Sequence, residues 1–173
     1  MIENYDEILK ERSVATKPYY FVLWGNFTIP ANGLPMPQIM SSIGVIGQDN
    51  TGPGPIENIS VHEFKAMPNE TLILYSVTTL TVQPVDGYLG FTVDNIDQSV
   101  NYGPVNILLP SNYHHGFSFK PVEAEPNSSI KPIFRMYQPG LANSTATVSV
   151  QFYFVSVPVF YDGPVIIPNS EDE

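Results

Sequence analysis

Two different hydrophobic periods divide the chain near residue 18. Before it, Ile2, Tyr5 and Leu9 recur at helical spacing, with seven charged residues interleaved. This pattern predicts a short amphipathic helix, or an arm, that ends at Pro18. A helix of this length is marginal in water by itself. We therefore expect it to dock, either on its own domain or on a neighbouring subunit.

From Tyr19 onward the hydrophobic period is two, which is typical of β-strands. Strand-like segments alternate with loops rich in proline and glycine, such as the loop at 49–55. This spacing favours an all-β fold, a single jelly-roll β-barrel or sandwich of about eight strands. The predicted organisation is an N-terminal helical or extended arm over 1–17, a barrel over 18–168 and an acidic tail over 169–173.

Two local patterns predict details of strand pairing. Asp86 and Gly87 lie between two strand-like segments and form a dipeptide that is a strong hairpin signal. In the last strand, the apolar residues occupy even-numbered positions from 148 to 154, and the apolar phase inverts at Val155. A β-bulge or a second buried face would explain this inversion.

The chain is acidic and sparsely charged, with a formal net charge of −10 and 14% charged residues. Its seven Lys and Arg residues are scattered, so we expect it to bind neither nucleic acid nor an anionic membrane surface. It has no cysteine, which excludes disulfides, thiolate metal sites and cysteine nucleophiles. The first residues lack the apolar segment of a signal peptide, so synthesis in a cytoplasm is expected. The five Asn-x-Ser/Thr triplets are then best explained by chance.

The histidines do not form a recognisable metal motif. His114 and His115 are adjacent, and neighbouring side chains of an extended strand point to opposite faces, so the two could not share one metal ion. His115 shares the phase of Phe117 and Phe119 and is predicted to pack beside the core, whereas His114 faces outward. A pH-dependent subunit contact at this pair is a hypothesis. His62 likewise has no ligand partner at a suitable spacing.

The acidic residues offer two weak alternatives. Glu123 and Glu125 would share one face of an extended segment, and Asp94 with Asp97 resembles a loose calcium loop. The calcium interpretation lacks the ligand ladder and glycine of an EF-hand, so solvated loops are favoured for both pairs. The sequence also lacks a nucleophile-elbow motif and a phosphate-binding glycine loop. We expect no enzymatic activity, no cofactor and no bound metal.

The strand series from YYFVLWGNFTIP to ATVSVQFYFVSVPVF, the length of 173 residues and the lack of cysteine resemble one family. These are the small major capsid proteins, built from one upright jelly-roll barrel, of tailless icosahedral bacteriophages of Thermus with an internal membrane. The resemblance implies a viral structural protein of the virion. Its implied partners are itself, as a homodimer or higher oligomer, and a larger jelly-roll capsid protein. The internal membrane would lie nearby, without insertion, and no catalytic residues are implied.

Candidate contact residues follow from the arm and the end of the last strand. The predicted subunit interface comprises Ile2, Tyr5, Ile8, Leu9, Val157, Val159 and Phe160. The alternative function is a carbohydrate-binding or adhesive β-sandwich. Its stacking platforms would be drawn from Trp24, Tyr19, Tyr20 and Tyr102.

Overall fold

The computed structural model describes residues 5–29, 38–39, 42–45, 63–81, 87–98, 105–106, 121–136 and 146–168. Within these ranges the chain forms one helix and eleven strands. Their bounds are α1 Tyr5–Val14, β1 Tyr19–Ile29, β2 Gln38–Ile39, β3 Ser42–Val45, β4 Phe64–Lys65, β5 Glu70–Thr81, β6 Gly87–Val93, β7 Ile96–Asp97, β8 Val105–Asn106, β9 Val122–Ala124, β10 Ser129–Met136 and β11 Ala146–Pro158.

The strands form two antiparallel sheets. The first sheet has the order β3-β1-β11-β5-β9, and the second has the order β2-β10-β6-β7, with β4 beside β10 and β8 beside β6. The chain crosses repeatedly between the sheets, and the long first and last strands, β1 and β11, are direct neighbours. This is the strand arrangement of a jelly-roll sandwich, so the predicted all-β fold class is confirmed.

The core lies between the sheets and is built from the alternating apolar positions of the strands. Phe152 on β11 is fully buried, and its ring lies 5.1 Å from that of Phe64 and 6.2 Å from that of Phe91. Phe64 and Phe91 belong to the second sheet, so these ring contacts join the two layers. Burial of a side chain of this size stabilises the fold by about 1.5–3 kcal/mol.

The predicted hairpin at Asp86-Gly87 is wrong. Strand β5 belongs to the first sheet and β6 to the second, and Gly87 pairs with Met136 of β10. The connection therefore crosses between layers instead of reversing within one. A two-residue turn occurs instead at Asp94 and Asn95, between β6 and β7, where φ is 48° and 67°. These positive φ values match a type I′ hairpin turn.

The outer face of the last strand is buried at Val155, where the apolar phase inverts, but not at Val159, which is exposed. The register of β11 with β1 is continuous, so β11 itself contains no extra residue. Phe154 and Ser156 keep the core-facing alternation, while Val155 faces outward and is nevertheless fully buried. A β-bulge does occur here, but on the neighbouring strand β5. Its residue Tyr75 is left out of the pairing between β5 and β11.

Helix α1 lies within the predicted arm and docks on its own chain. Ile8 is buried among the core residues of both sheets. The prediction of Ile8 as a subunit-interface residue is therefore corrected, because the core of its own domain already covers this side chain. Within the described part of the chain, no helix has the length and apolar character needed to span a membrane.

Candidate functional site

A buried ion pair joins helix α1 to the sandwich. Arg12 and Glu70 have side chains only 3% and 1% exposed, and the Arg12 Nη2 atom donates to Glu70 Oε1. Arg12 Nε also donates to Glu70 Oε2 at 3.3 Å, which makes the pair bidentate. The Arg12 guanidinium lies 5.0 Å from the centre of the Phe21 ring. One arginine thus contacts a carboxylate and an aromatic face of the core at once.

Neighbouring groups add further hydrogen bonds to the pair. The Met67 amide donates to Glu70 Oε1 at 3.0 Å, and the Ser156 hydroxyl donates to Glu70 Oε2. Arg12 Nη2 donates to the Lys65 carbonyl at 3.1 Å. A buried ion pair is tolerated when its remaining donors and acceptors are satisfied in this way. We call Arg12, Glu70, Ser156 and their backbone partners the buried polar cluster.

The sequence explains why this cluster forms where it does. Glu70 begins β5 on the same face as Leu72 and Leu74, so its carboxylate is carried into the core side of the sheet. On α1, Arg12 lies four residues after the buried Ile8 and so shares its face. Sequence reasoning missed both residues. The available signal was a carboxylate in phase with buried leucines, which requires a cation.

The buried polar cluster is suited to holding structure together and not to binding a substrate. Both charged side chains are nearly inaccessible to solvent, and each is already engaged by the other. The cluster connects α1 with β5 and β11 of the first sheet and with β4 of the second. It therefore attaches the helix to both layers of the sandwich.

Two predicted interface residues lie in an exposed apolar patch near the end of α1. Val159 and Phe160 are 61% and 65% exposed, and Val14 at the end of α1 is 69% exposed. Asn69 links these two segments: its side-chain amide donates to the Ser13 carbonyl at 3.4 Å, and its own carbonyl accepts from the Val159 amide at 2.9 Å. We call Val14, Val159 and Phe160 the end patch.

The other predicted interface residues are placed differently. Leu9 and Val157 are partly buried, and Ile8 belongs to the core. Ile2 lies outside the described residues, and Tyr5 begins α1 with a side chain that is outside the description. The interface prediction thus has structural support at Val159 and Phe160 as exposed apolar side chains, and it stays a prediction.

A second surface lies on the outer face of the first sheet. The rings of Tyr20 and Tyr75 are 6.3 Å apart, and those of Tyr75 and Tyr153 are also 6.3 Å apart. Gln151 extends this group, because its Oε1 accepts from the Tyr153 hydroxyl at 2.7 Å. We call Tyr20, Tyr75, Tyr153 and Gln151 the tyrosine face.

The bulge on β5 directs Tyr75 into the centre of the tyrosine face. Leu74 pairs with Phe154 and Ser76 pairs with Tyr153, so the additional residue Tyr75 stands on the outer side between its two tyrosine neighbours. Partial burial there raises the pKa of the Tyr75 hydroxyl to about 12, and the neighbouring Tyr153 and Tyr20 contribute to this rise. Tyr75 is therefore held neutral well above its ordinary titration range.

The C-terminal segment, residues 159–168, borders the tyrosine face. The Tyr20 hydroxyl donates to the Ile166 carbonyl at 2.5 Å, and the Ile166 side chain is exposed beside it. Farther back in the segment, a Cβ atom at Gly163 would overlap the Tyr161 ring. Glycine at 163 thus permits the Tyr161 hydroxyl to reach the Pro164 carbonyl at 3.3 Å. These contacts position an exposed apolar side chain at the edge of the face.

Of the residues predicted as sugar-stacking platforms, the structure describes the side chains of Tyr19 and Tyr20, which lie on opposite faces of β1. Tyr19 is partly buried and packs on the core, with its ring 5.9 Å from that of Phe21, so it does not share the surface of Tyr20. The side chain of Trp24 and the whole of Tyr102 lie outside the description. Tyr75 and Tyr153 were missed, because the bulge that brings them together leaves no distinct signal in the sequence.

The described carboxylates that were considered as site residues do not come together in one site. Asp94 accepts hydrogen bonds from the Ser128 hydroxyl and from the Ser129 amide at 2.9 Å, and these bonds lower the pKa of its carboxyl group. Asp97 pairs with Thr92 in the β6–β7 hairpin. Glu123 and Glu125 are exposed. Among the described residues, no group of three His, Asp or Glu side chains could hold a metal ion. His62, His114 and His115 lie outside the description.

Comparison with known proteins adds no relative. No protein-family model matches the sequence, and no curated protein matches it at a significant level. The features with a bearing on function are the jelly-roll sandwich, the buried polar cluster, the exposed end patch and the partly buried tyrosine face.

Proposed function

We propose that this protein is a structural subunit that assembles with copies of itself into a larger shell, as a viral capsid protein does. The end patch is the observation that carries the proposal. It comprises three large apolar side chains that are more than half exposed, on two segments that Asn69 links, and two of them were predicted from the sequence as contact residues. Apolar side chains grouped in this way mark contact surfaces, whereas singly scattered ones do not.

The buried polar cluster supports the same proposal. An assembly unit must keep its contact surfaces in a fixed relation, and Val14 belongs to α1 while Val159 and Phe160 follow β11. The bidentate contact between Arg12 and Glu70 holds these elements in register. Preorganisation of this kind reduces the conformational entropy lost on association.

The implied partners and location belong to the proposal. They are a second, larger jelly-roll protein in the same shell, and a virion with a membrane beneath it that this chain does not enter. The carbohydrate-binding alternative has one specific feature in its favour, the partly exposed ring of Tyr20 among two further tyrosines. Aromatic rings and a neighbouring amide such as Gln151 are suited to a neutral ligand.

Electron microscopy and protein composition of native particles test the proposal. The expected result is that this chain is an abundant component of a regular shell. A glycan array performed with the purified chain tests the alternative, with Tyr20→Ala as the variant and Tyr161→Ala as the matched control outside the tyrosine face. Glycan binding that is lost in the first variant, together with absence of the chain from any particle, would reject the structural role.

A further inference from the structure

We propose that the C-terminal segment is a strap that closes the outer face of the first sheet and can open without unfolding of the sandwich. The inference goes beyond the proposed function, because it concerns the conformation of a single chain and can fail while the assembly proposal stands. Its starting point is Val155, which faces outward on β11 and is nevertheless fully buried. The outer face of an antiparallel sheet is commonly solvated, so complete burial there requires cover by another part of the chain.

The two attachments of the C-terminal segment place it across β11. At its start, the Val159 amide donates to the carbonyl of Asn69, the residue directly before β5, at 2.9 Å. Near its end, the Ile166 carbonyl accepts from the Tyr20 hydroxyl of β1 at 2.5 Å. Because β11 lies between β1 and β5 in the sheet, the segment passes from one side of β11 to the other. Tyr20 is also the strand partner of Val155, so the second attachment lies beside the buried valine.

One side of the C-terminal segment rests on the domain, and the other faces solvent. The exposure alternates along it: Tyr161, Gly163, Val165 and Ile167 are partly buried, whereas Asp162, Pro164, Ile166 and Pro168 are exposed. A period of two is that of an extended chain lying on a surface. The inward side therefore carries no charged residue, and the charge of Asp162 is on the outward side. An uncharged inward side is what a cover for tyrosine and valine side chains requires.

The C-terminal segment is held more weakly than the strands beneath it. Residues 161–168 form neither a strand nor a helix, and Pro164 and Pro168 have no amide hydrogen to donate. The Tyr161 hydroxyl bonds within the segment, to the Pro164 carbonyl, whereas the Tyr20 hydroxyl joins the far part of the segment to the sheet. Parts of a chain without a continuous hydrogen-bond ladder open locally at a smaller free-energy cost than core strands do.

Opening of the strap would change two surfaces at once. It would uncover Val155 together with its uncharged outward neighbours Tyr20 and Ile73. The same segment carries Val159 and Phe160 of the end patch, so its closed state also keeps these side chains beside α1. The strap thus couples the cover of the first sheet to the geometry of the end patch.

Labelling of an introduced cysteine measures opening in the intact chain, which has no cysteine of its own. Val155→Cys places a thiol beneath the proposed strap, and Val150→Cys places one on the core side of the same strand. Both positions are almost fully buried, and cysteine behaves there as a small hydrophobic residue. The rate of reaction with an aromatic disulfide reports strap opening at the first position and opening of the sandwich at the second. Val157→Cys, also on the outer side of β11, replaces Val155→Cys if circular dichroism indicates that the latter is unfolded.

Two matched pairs of variants test the attachments. Tyr20→Phe removes the hydroxyl that bonds to Ile166 and keeps the ring, whereas Tyr153→Phe removes a hydroxyl of the same face that bonds to Gln151. Ile167→Ser removes a partly buried apolar side chain from the inward side of the segment, whereas Ile166→Ser removes an exposed one.

The expected result is that Tyr20→Phe and Ile167→Ser each accelerate labelling of Val155→Cys by roughly fivefold or more and leave that of Val150→Cys unchanged. Tyr153→Phe and Ile166→Ser should change neither rate. Labelling of Val155→Cys at the same rate with and without Tyr20→Phe and Ile167→Ser would overturn the inference. Equal acceleration at both cysteine positions would also overturn it, because the whole sandwich would then be opening. Neither of these results bears on the association of separate chains, so the proposed function would stand.

Discussion

At the scale of single residues, the ion pair between Arg12 and Glu70 is the main polar contact that docks helix α1 on the sandwich. Both are charged, and Arg12 is one of the seven charged residues interleaved in the first seventeen positions. The structure buries one of them, because Glu70 is carried into the core side of β5 and needs a cation there. A helix with a mixed polar pattern can thus dock through one ion pair and one apolar side chain, Ile8.

Removal of Arg12 tests this pair. Arg12→Met keeps much of the apolar contact but leaves Glu70 buried without its cation, so the free energy of unfolding should fall by about 3–5 kcal/mol. Denaturant unfolding measures this loss. Lys10→Met removes the same charge from an exposed position of α1 and should change the stability by less than about 0.5 kcal/mol. A double variant with Glu70→Gln should recover part of the loss. Equal effects of the Arg12 and Lys10 substitutions would contradict the assignment.

The raised pKa of Tyr75 predicts that the stability of the fold decreases at alkaline pH. Its pKa is about 12 in the folded chain and close to 10 when the chain is unfolded, so the unfolded state loses its proton first as the pH rises. The contribution of Tyr75 to stability is therefore fully present below pH 10 and is lost between about pH 10 and 12. Tyrosinate absorbance should reveal one group in this late range that is missing in Tyr75→Phe. An unchanged titration curve in that variant would contradict the placement of Tyr75.

At the scale of elements, α1 is part of the folded domain and not a loose arm. Deletion of residues 1–17 removes both Ile8 from the core and Arg12 from Glu70, so thermal melting should show a loss larger than that of Arg12→Met alone. Adding Glu70→Gln to the truncated chain should restore some stability, because the buried charge is then neutral. A truncated chain that melts like the intact one would show that the helix is dispensable.

The sequence predicted elements well where a repeating pattern decides the structure. Period-two alternation gave the β-sandwich, and the change of period near Pro18 gave the helix. Strand pairings and side-chain contacts between residues far apart in the sequence were not predictable. Asp86-Gly87 has the composition of a hairpin turn, but the chain crosses between sheets there. The bulge at Tyr75 depends on how β5 fits β11, and the contact between Arg12 and Glu70 spans 58 positions.

At the scale of the whole molecule, net charge would oppose the proposed assembly, and the exposed apolar end patch would favour it. Each subunit carries a formal charge of −10, so repulsion between copies should weaken association at low ionic strength. Raising the salt concentration screens this repulsion, and the dissociation constant should fall. Light scattering across a salt series measures the effect. Association that weakens steadily with added salt would indicate contacts made mainly by opposite charges, contrary to a contact through the apolar end patch.

The central claim is that this chain is an assembly subunit, and its association state tests that claim most directly. Sedimentation velocity of the intact, purified chain should be measured over a wide range of concentration at moderate salt. We expect species heavier than a monomer whose mass increases with concentration, and a marked shift toward the monomer in Phe160→Glu, which places a like charge in the end patch. A single monomeric species at every concentration, identical in the wild type and in this variant, would contradict the account.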